Sequence, residues 1–336
     1  MARIGINPAR GQVTDYRPAR ITLAMVTYIP NLAGYFEHRL EVLRLVLSSL
    51  MAHTTTPHDL MVFDNASCPE VVSYLRQMQE QSQVDYLILS ERNLGKVDAL
   101  RVLFNAAPGE VIAYSDDDVF FYPGWLEAQL EILDCFPQAG MVSGIAVRNA
   151  AGHARRSLDQ LAAQGAPGLS VARQRRIPDA WEADWALSTG RDPQAHLQAT
   201  QEHLDLVFRV DKPGGGVCEA IGAASHFQFI TPRQVILQAL PTGWTGKLMG
   251  SMIELDEAVD DLGCLRLSTV ERYTRHLGNA LSAEVIAEAR RLRLALEASA
   301  VPATGKRRRK HWLLRLPGSR RVLSGLYQRL FKILYR

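Results

Sequence analysis

The chain has 336 residues, of which 47% are apolar and 22% are charged. These values are typical of a globular protein and exclude a largely disordered chain. The length allows one large α/β domain or two domains of ~100–200 residues. Apolar runs stay short of the ~18 residues that span a bilayer, and the N-terminus lacks the apolar run of a secretory signal. We therefore expect a soluble, cytoplasmic body.

Strands and helices alternate between residues 20 and 145. Short apolar runs predict strands, and apolar residues at three- and four-residue spacing predict helices. Such alternation predicts an α/β fold with a Rossmann-like, mostly parallel sheet flanked by helices. The predicted strands are 21–27, 60–63, 85–89 and 110–114, and the predicted helices are 37–53, 69–78, 95–104 and 123–135.

The second half of the chain has a weaker pattern. Residues 146–215 are rich in Ala, Gly, Arg and Gln, which indicates a largely helical or irregular insertion. Beyond it we expect two strands, the second at a sheet edge, and two helices. The predicted strands are 223–230 and 265–268, and the predicted helices are 254–262 and 282–298.

Polar residues follow each of the first four predicted strands. In such sheets, ligands bind beyond the carboxyl ends of the strands. The four strands therefore direct polar groups to one edge, which predicts a single binding site there. Its residues are Thr27 and Tyr28 after the first strand, Asp64 and Asn65 after the second, Asn93 and Lys96 after the third, and Asp116, Asp117 and Asp118 after the fourth.

Three adjacent carboxylates at a strand end repel one another, which raises the pKa of one or more unless a cation is present. Hard divalent ions such as Mg²⁺ or Mn²⁺ take oxygen ligands and share them with substrate phosphates. Asp116, Asp117 and Asp118 therefore predict a metal–diphosphate site. The alternative is a solvated acidic turn, which three acids alone would favour if no buried strand preceded them.

Two further turns carry candidate ligand-binding groups. Asp64 can accept hydrogen bonds from a base or ribose, or it can instead cap the next helix. Gly95 allows backbone to approach a ligand, and Lys96 would then face phosphate or base. The turn is not a Walker A loop, because GxxxxGK[ST] is absent. The alternative is an ordinary turn with a solvated lysine.

The order strand–DNAS–helix, strand–RNLGK–helix, strand–YSDDDVFFYPGWL resembles the family 2 glycosyltransferases, which have the GT-A fold. The resemblance covers residues 20–145 and is weaker over 215–280. It implies that Asp64 contacts the nucleobase of a nucleoside-diphosphate sugar. It also implies that Asp116 and Asp118 bind ribose and the metal–diphosphate, and that the sugar's anomeric configuration is inverted.

The same resemblance points to residues far from the acidic motif. In the family a Glu-Asp pair opening a helix supplies the catalytic base. This chain has Glu254-Leu255-Asp256-Glu257 instead, so Glu254 and Asp256 are both candidates, and the alternative is that they only favour a helix N-terminus. The segment 275–279 resembles a C-terminal stretch whose histidine reaches the metal. His276 is therefore a metal candidate, although a lone histidine is often structural.

The resemblance suggests how the chain is divided. We expect a nucleotide-sugar-binding half and an acceptor or catalytic half that contains the 146–215 insertion. The boundaries are 1–19 for an N-terminal extension, 20–145 and 146–280 for the two halves, and 281–336 for a helical C-terminal segment with a basic tail.

The tail, residues 306–336, contains eleven Lys and Arg and no Asp or Glu, so the overall charge of +3 leaves about −8 on the rest. Its leucines recur at helical spacing among basic residues, which suits an anionic membrane surface. The alternative is a helix that packs on the protein or a partner subunit. We expect no nucleic-acid partner, since no recognition module accompanies the tail.

These features predict an inverting, metal-dependent glycosyltransferase on the inner membrane face, with a glycan or lipid-linked acceptor. A sugar-phosphate nucleotidyltransferase is one alternative, but the Gly-rich loop expected after its first strand is absent at 27–31. A membrane-bound, non-catalytic scaffold is another. Against it stand the acids at 64, 116 and 118 and the lysine at 96, which retain the chemistry of a working site.

Overall fold

A computed structural model describes residues 5–212 and 215–294. The predicted basic tail at 306–336 lies outside the described residues. Strands and helices alternate at first and become less regular later. The strands are β1 Ile21–Thr27, β2 His58–Asn65, β3 Tyr86–Ser90, β4 Val111–Asp116, β5 Val119–Phe121, β6 Ala139–Ser143, β7 Leu169–Gln174, β8 Asp205–Asp211, β9 Val217–Ile221, β10 Gln228–Pro232, β11 Leu265–Ser268 and β12 Thr274–His276.

Several helices begin with the expected local signals. Pro69 occupies the first position of α2, and Ser251 caps α9 by accepting the backbone N–H of Glu254 at 3.3 Å. The described helices are too short or too polar to cross a bilayer. They are α1 Arg39–Ala52, α2 Pro69–Glu80, α3 Lys96–Ala106, α4 Trp125–Cys135, α5 Arg156–Gln164, α6 Asp179–Ser188, α7 Pro193–Ala199, α8 Arg233–Ala239, α9 Met252–Asp261 and α10 Ala283–Arg291.

Ten strands form one sheet in the order β3-β2-β1-β4-β10-β6-β11-β9-β8-β7. The first four are parallel to one another, whereas β10 runs antiparallel to both β4 and β6. Beyond β10 the sheet is mixed, because β6 and β11 are parallel but β9, β8 and β7 alternate in direction. The predicted α/β class is confirmed, and the continuous run of parallel strands consists of β1 to β4.

Helices cover both faces of the sheet. Leu23 and Met25 on β1 pack with α1, α2 and α4 on one face, while Ala24 and Val26 pack with α3, α8 and α9 on the other. All seven residues of β1 are buried, as expected for a central parallel strand covered on both sides. The two layers hold the carboxyl ends of the parallel strands at one exposed edge.

The later elements differ from the sequence prediction in three places. Residues 146–215 contain helices but also β7 and β8, which extend the main sheet by pairing onto β9. Strand β11 lies between β6 and β9 rather than at an edge. The strand predicted at 223–230 begins only at Gln228, because Ser225 donates its backbone N–H to Ser143 Oγ at 2.6 Å instead of joining a ladder.

Candidate functional site

The carboxyl ends of the first four strands meet at one edge of the sheet. Thr27 pairs in register with Asp64, and Val26 pairs with Asp116. Asn65 pairs with Ser90 at the end of β3. The predicted candidates at the ends of β1, β2 and β4 therefore lie side by side. We call this edge, with the turns that follow each strand, the rim.

Asp116 is held by two side chains. Lys96 Nζ lies 2.6 Å from Asp116 Oδ2, and the Tyr114 hydroxyl donates to Asp116 Oδ1. The backbone N–H of Asp116 donates to Phe227 O at 2.8 Å, which fixes the chain before β10 against the rim. Lys96 thus extends from the start of α3 to the acidic motif, where its charge balances that of Asp116.

Asp117 points into the protein. The Thr27 hydroxyl donates to Asp117 Oδ2 at 2.6 Å, and the Arg39 guanidinium donates to Asp117 Oδ1. Burial raises the pKa of Asp117, and the charge of Arg39 offsets part of that effect. Thr27 and Asp117 are both buried, so they support the rim from below instead of facing a ligand.

Asp118 is the member of the motif with a free oxygen. Its Oδ2 accepts from Arg39 Nη1 at 2.9 Å, while its buried Oδ1 has no hydrogen-bond partner among the described residues. His276 Nε2 lies 3.6 Å from that Oδ1, and Ser188 Oγ lies 2.9 Å from His276 Nδ1. A buried carboxylate oxygen beside an imidazole nitrogen is a donor pair that suits a divalent cation.

The charges around Asp118 keep it ionised. Burial alone would raise the pKa of Asp118, but His276, Arg39 and Lys96 together lower it below its usual value. The short β5–β12 ladder places His276 there, since His276 pairs with Val119 and Leu277 donates its N–H to Asp118 O at 2.7 Å. Asp118 and His276 therefore fit a metal, whereas Asp116 has both oxygens engaged.

Arg39 is a site residue that the sequence did not reveal. It lies at the start of α1, is 7% exposed, and also donates to Gly278 O at 2.7 Å. It therefore ties Asp117 and Asp118 to the segment that carries His276. A single arginine at the start of an apolar helix looks like an ordinary solvated charge, so only the fold brings it to the motif.

The other rim candidates hold the turns together. Asp64 is 1% exposed and accepts the backbone N–H of Ser67 at 3.2 Å. Asn65 Nδ2 donates to Asn93 Oδ1 at 3.0 Å, and Asn65 Oδ1 accepts the N–H of Leu94 at 2.8 Å. Asn65 and Asn93 thereby shape the turn before α3.

Burial raises the pKa of Asp64, while hydrogen bonds from Ser67 lower it in part. Tyr28 packs edge-on against Phe36 with ring centroids 6.1 Å apart, and its side chain is half-buried at the rim. Asp64 is therefore a costly buried carboxyl at a strand end, which is typical of a group kept for binding.

The two candidate bases lie in different surroundings. Glu254 is on the first turn of α9, and its exposed carboxylate lies 3.9 Å from Lys247 Nζ. Asp256 is fully buried, and its carboxylate forms an ion pair with Arg266, whose Nη2 lies 2.9 Å from Oδ2. The structure therefore separates them, and only Asp256 belongs to an interior polar cluster.

Residues 35–187 match the model of glycosyl transferase family 2. An uncharacterized glycosyltransferase of Nostoc sp. is 26% identical over 165 residues, which is 49% of this chain and 48% of that protein. The chain thus spans about half the length of this curated relative.

Residues 1–349 of TarS from S. aureus give a TM-score of 0.43 at 13% identity, covering 81% of this chain and 64% of that chain. The mannosyltransferase PcManGT of Pyrobaculum calidifontis, solved with GDP-Man and Mn²⁺, gives a TM-score of 0.30 at 23% identity, covering 44% of this chain and 39% of that chain.

Proposed function

We propose that the protein is an inverting, metal-dependent glycosyltransferase, since its residues 35–187 match the model of glycosyl transferase family 2. It moves a sugar from a nucleoside-diphosphate sugar to a hydroxyl acceptor. One observation carries the proposal: Asp118 Oδ1 is buried, has no hydrogen-bond partner among the described residues and lies 3.6 Å from His276 Nε2, at the carboxyl ends of the parallel strands.

The rim residues divide the donor among them. Asp64 accepts hydrogen bonds from the base or ribose. When the donor binds, the ion pair between Lys96 and Asp116 opens, so that Lys96 contacts phosphate and Asp116 contacts the ribose. Asp118 and His276 would hold Mg²⁺ or Mn²⁺, which offsets charge on the departing diphosphate when bound. Arg39 keeps Asp117 and Asp118 Oδ2 engaged, so the free oxygen of Asp118 keeps its position.

Binding of donor and metal tests the proposal directly. UDP-, GDP- and dTDP-sugars, each with Mn²⁺, should raise the melting temperature of the full chain, because a ligand that binds only the folded state stabilises it. Asp118→Asn should abolish the shift. Asp134→Asn, which changes an exposed acid on α4, should preserve it. An equal shift in Asp118→Asn and wild type would exclude this site.

The products separate the proposal from its alternatives. A glycosyltransferase releases nucleoside diphosphate, whereas a nucleotidyltransferase exchanges pyrophosphate. A non-catalytic scaffold would show the thermal shift without turnover. We expect one of the donors to release nucleoside diphosphate. NMR of the product should show that the configuration at the anomeric carbon is inverted.

We further propose that the acceptor is a glycan or a lipid-linked sugar at the cytoplasmic membrane face. The basic residues of 306–336 support this proposal, since clusters of Lys and Arg bind anionic lipid. The full chain should sediment with phosphatidylglycerol vesicles and not with phosphatidylcholine vesicles. Replacing all five residues of 306–310 by glutamine should weaken this binding, as should high salt. Unchanged binding would contradict the membrane role.

A further inference from the structure

A buried carboxylate lies at the centre of a polar cluster beneath α9. Asp256 Oδ2 accepts hydrogen bonds from His153 Nε2 at 2.7 Å and from His226 Nδ1 at 3.1 Å, and it forms an ion pair with Arg266, whose Nη2 lies 2.9 Å away. These partners come from three distant parts of the chain, so the cluster is a product of the fold. We call these four residues the Asp256 cluster.

Asp256 cannot reach an acceptor itself. Its side chain has no exposed surface, and its Oδ2 is already shared by three partners. Burial alone would raise the pKa of Asp256, but the hydrogen bonds from His153 and His226 and the charge of Arg266 lower it below its usual value. It is therefore a fixed negative charge whose influence must pass through a neighbour.

His226 is the member of the cluster that faces outward. One third of its side chain is exposed, compared with 16% for His153. It immediately precedes Phe227, whose carbonyl accepts the N–H of Asp116 and whose ring lies 5.1 Å from that of His276. The backbone of His226 therefore lies one residue from a direct contact with the rim.

The hydrogen bond to Asp256 determines the chemistry of His226. Because an ionised carboxylate only accepts, Nδ1 of His226 carries the proton. The neutral ring then has its lone pair on Nε2, which the cluster leaves unengaged. A carboxylate that holds one ring nitrogen so that the other can act as a base is the arrangement of acid–histidine pairs in hydrolases.

We propose that His226 is the catalytic base of this enzyme and that Asp256 is its positioning residue, an inference that rests on the proposed glycosyl transfer. Nε2 of His226 takes the proton of the acceptor hydroxyl as the oxygen forms its bond to the anomeric carbon. The bond from that carbon to the diphosphate oxygen breaks, and its electron pair leaves with the nucleoside diphosphate. Asp256 stabilises the resulting imidazolium, which returns its proton to solvent.

The cluster also has the composition of a metal site, since the ligand atoms of His153, His226 and Asp256 lie within 4.8 Å of one another. Arg266 argues against a metal there. Its buried guanidinium lies 2.9 Å from Asp256 Oδ2 and already balances the charge of this carboxylate. Adding a divalent cation beside a buried arginine would leave uncompensated positive charge.

Glu254, the other candidate base, lacks a comparable setting. Its carboxylate is 62% exposed, and its ion-pair partner among the described residues is Lys247, with Nζ at 3.9 Å. Nothing orients it towards the rim, and an exposed glutamate retains its hydration shell. Glu254→Gln is therefore a useful competitor variant in the test of His226.

The kinetic test uses the full chain with Mn²⁺ and measures release of nucleoside diphosphate from UDP-glucose, GDP-mannose and dTDP-rhamnose, with water as acceptor. His226→Gln should lower kcat by about 10²–10⁴-fold, the usual contribution of a general base, with the donor KM nearly unchanged. His203→Gln is the matched control, because His203, just before β8, also lies beside a buried acid, Asp205, at 3.8 Å. It should retain wild-type kcat.

A kcat within about threefold of wild type for His226→Gln would overturn the proposal. So would a loss in Glu254→Gln that exceeds the loss in His226→Gln. If the wild type releases no nucleoside diphosphate from any donor, the glycosyl-transfer proposal fails first. The tautomer of His226 can then still be determined by a measurement that needs no turnover.

That measurement is ¹⁵N NMR of histidine side chains in the labelled full chain. His226 should show a proton on Nδ1 and none on Nε2 at neutral pH, and Asp256→Asn should reverse or mix the two tautomers. A proton on Nε2 in the wild type would exclude the base. Saturable shifts of both His153 and His226 on addition of Zn²⁺ alone would assign the cluster to a metal and overturn the inference.

Discussion

Arg39 Nη1 lies 2.9 Å from Asp118 Oδ2, and the same guanidinium holds Asp117. One buried cation thus engages two of the three consecutive acids, while the third, Asp116, is paired with Lys96. Repulsion within the motif is offset by the protein's own cations before any ligand binds. As a result, a single carboxylate oxygen, Asp118 Oδ1, is free for a metal.

Arg39→Met should destabilise the protein strongly. Removing one partner of a buried ion pair leaves an uncompensated charge, which costs about 3–5 kcal/mol. The side chains of Arg39 and Asp117 are only 8% and 10% exposed, so solvent cannot replace the lost contact. Urea unfolding should show the decrease in the free energy of unfolding, with Arg76→Met on the exposed face of α2 as control.

The double variant Arg39→Met/Asp117→Asn should recover part of that loss, because it removes the stranded charge together with its partner. Equal stability of Arg39→Met and Arg76→Met would contradict a structural role for Arg39.

His276→Ala should weaken Mn²⁺ binding. Loss of a residue that only supports a metal ligand typically costs about 10–100-fold in affinity, so loss of a ligand should cost at least as much. Ser188→Ala should have a smaller effect, because Ser188 contacts only the other ring nitrogen of His276 at 2.9 Å. Calorimetric titration of the full chain with Mn²⁺ and UDP measures both.

His58→Ala is the matched control, since His58 contacts only Thr56 O and lies at the opposite end of β2 from Asp64. If His276→Ala left the dissociation constant for Mn²⁺ unchanged, His276 would not be a ligand of the metal.

The sequence was informative where local patterns decide the structure. Strand β1 ends at Thr27 as predicted, and the acidic motif follows β4 at the same edge. The contacts that define the site could not be predicted, because they join distant residues. Arg39 reaches Asp118 across 79 positions, and His153 reaches Asp256 across 103. Neither residue has a local pattern that distinguishes it from a surface charge or an ordinary loop histidine.

The acid tolerance of Asp64→Asn should differ from that of the wild type in a defined direction. Burial raises the folded-state pKa of Asp64, so the folded protein binds this proton more tightly than the unfolded chain. The resulting stability is fully present below the ordinary carboxyl pKa of ~4 and is lost as the pH rises through the raised value. Asp64→Asn, which cannot ionise, should therefore gain stability relative to the wild type between acid and neutral pH.

Urea unfolding at pH 3.5 and pH 7 measures this difference, with Asp134→Asn as the exposed control. If the free energies of unfolding of the wild type and Asp64→Asn differed by the same amount at both pH values, folding would not change the pKa of Asp64. Asp64→Asn should be more stable than the wild type at neutral pH but bind the donor more weakly, because a buried group that binds a ligand often lowers the stability of the fold.

Gly95→Ala tests whether the turn before α3 must be glycine. Gly95 has φ of +85° and ψ of 158°, a conformation almost restricted to glycine, and an added Cβ would lie 2.1 Å from Lys247 O. The strain alone costs about 1–3 kcal/mol, and the overlap must also displace the 245–248 segment. Gly263→Ala is the matched control, since Gly263 has φ of +76° but no atom within 4 Å of an added Cβ.

Gly95→Ala should therefore lose more stability in urea than Gly263→Ala. It should also exchange the amide of Lys96 faster, because that N–H donates to Leu248 O at 2.9 Å. Since Lys96 is the partner of Asp116, displacement of this turn should raise the donor KM as well. Equal destabilisation by the two substitutions, with unchanged exchange at Lys96, would mean that the 245–248 segment yields freely and does not hold the start of α3.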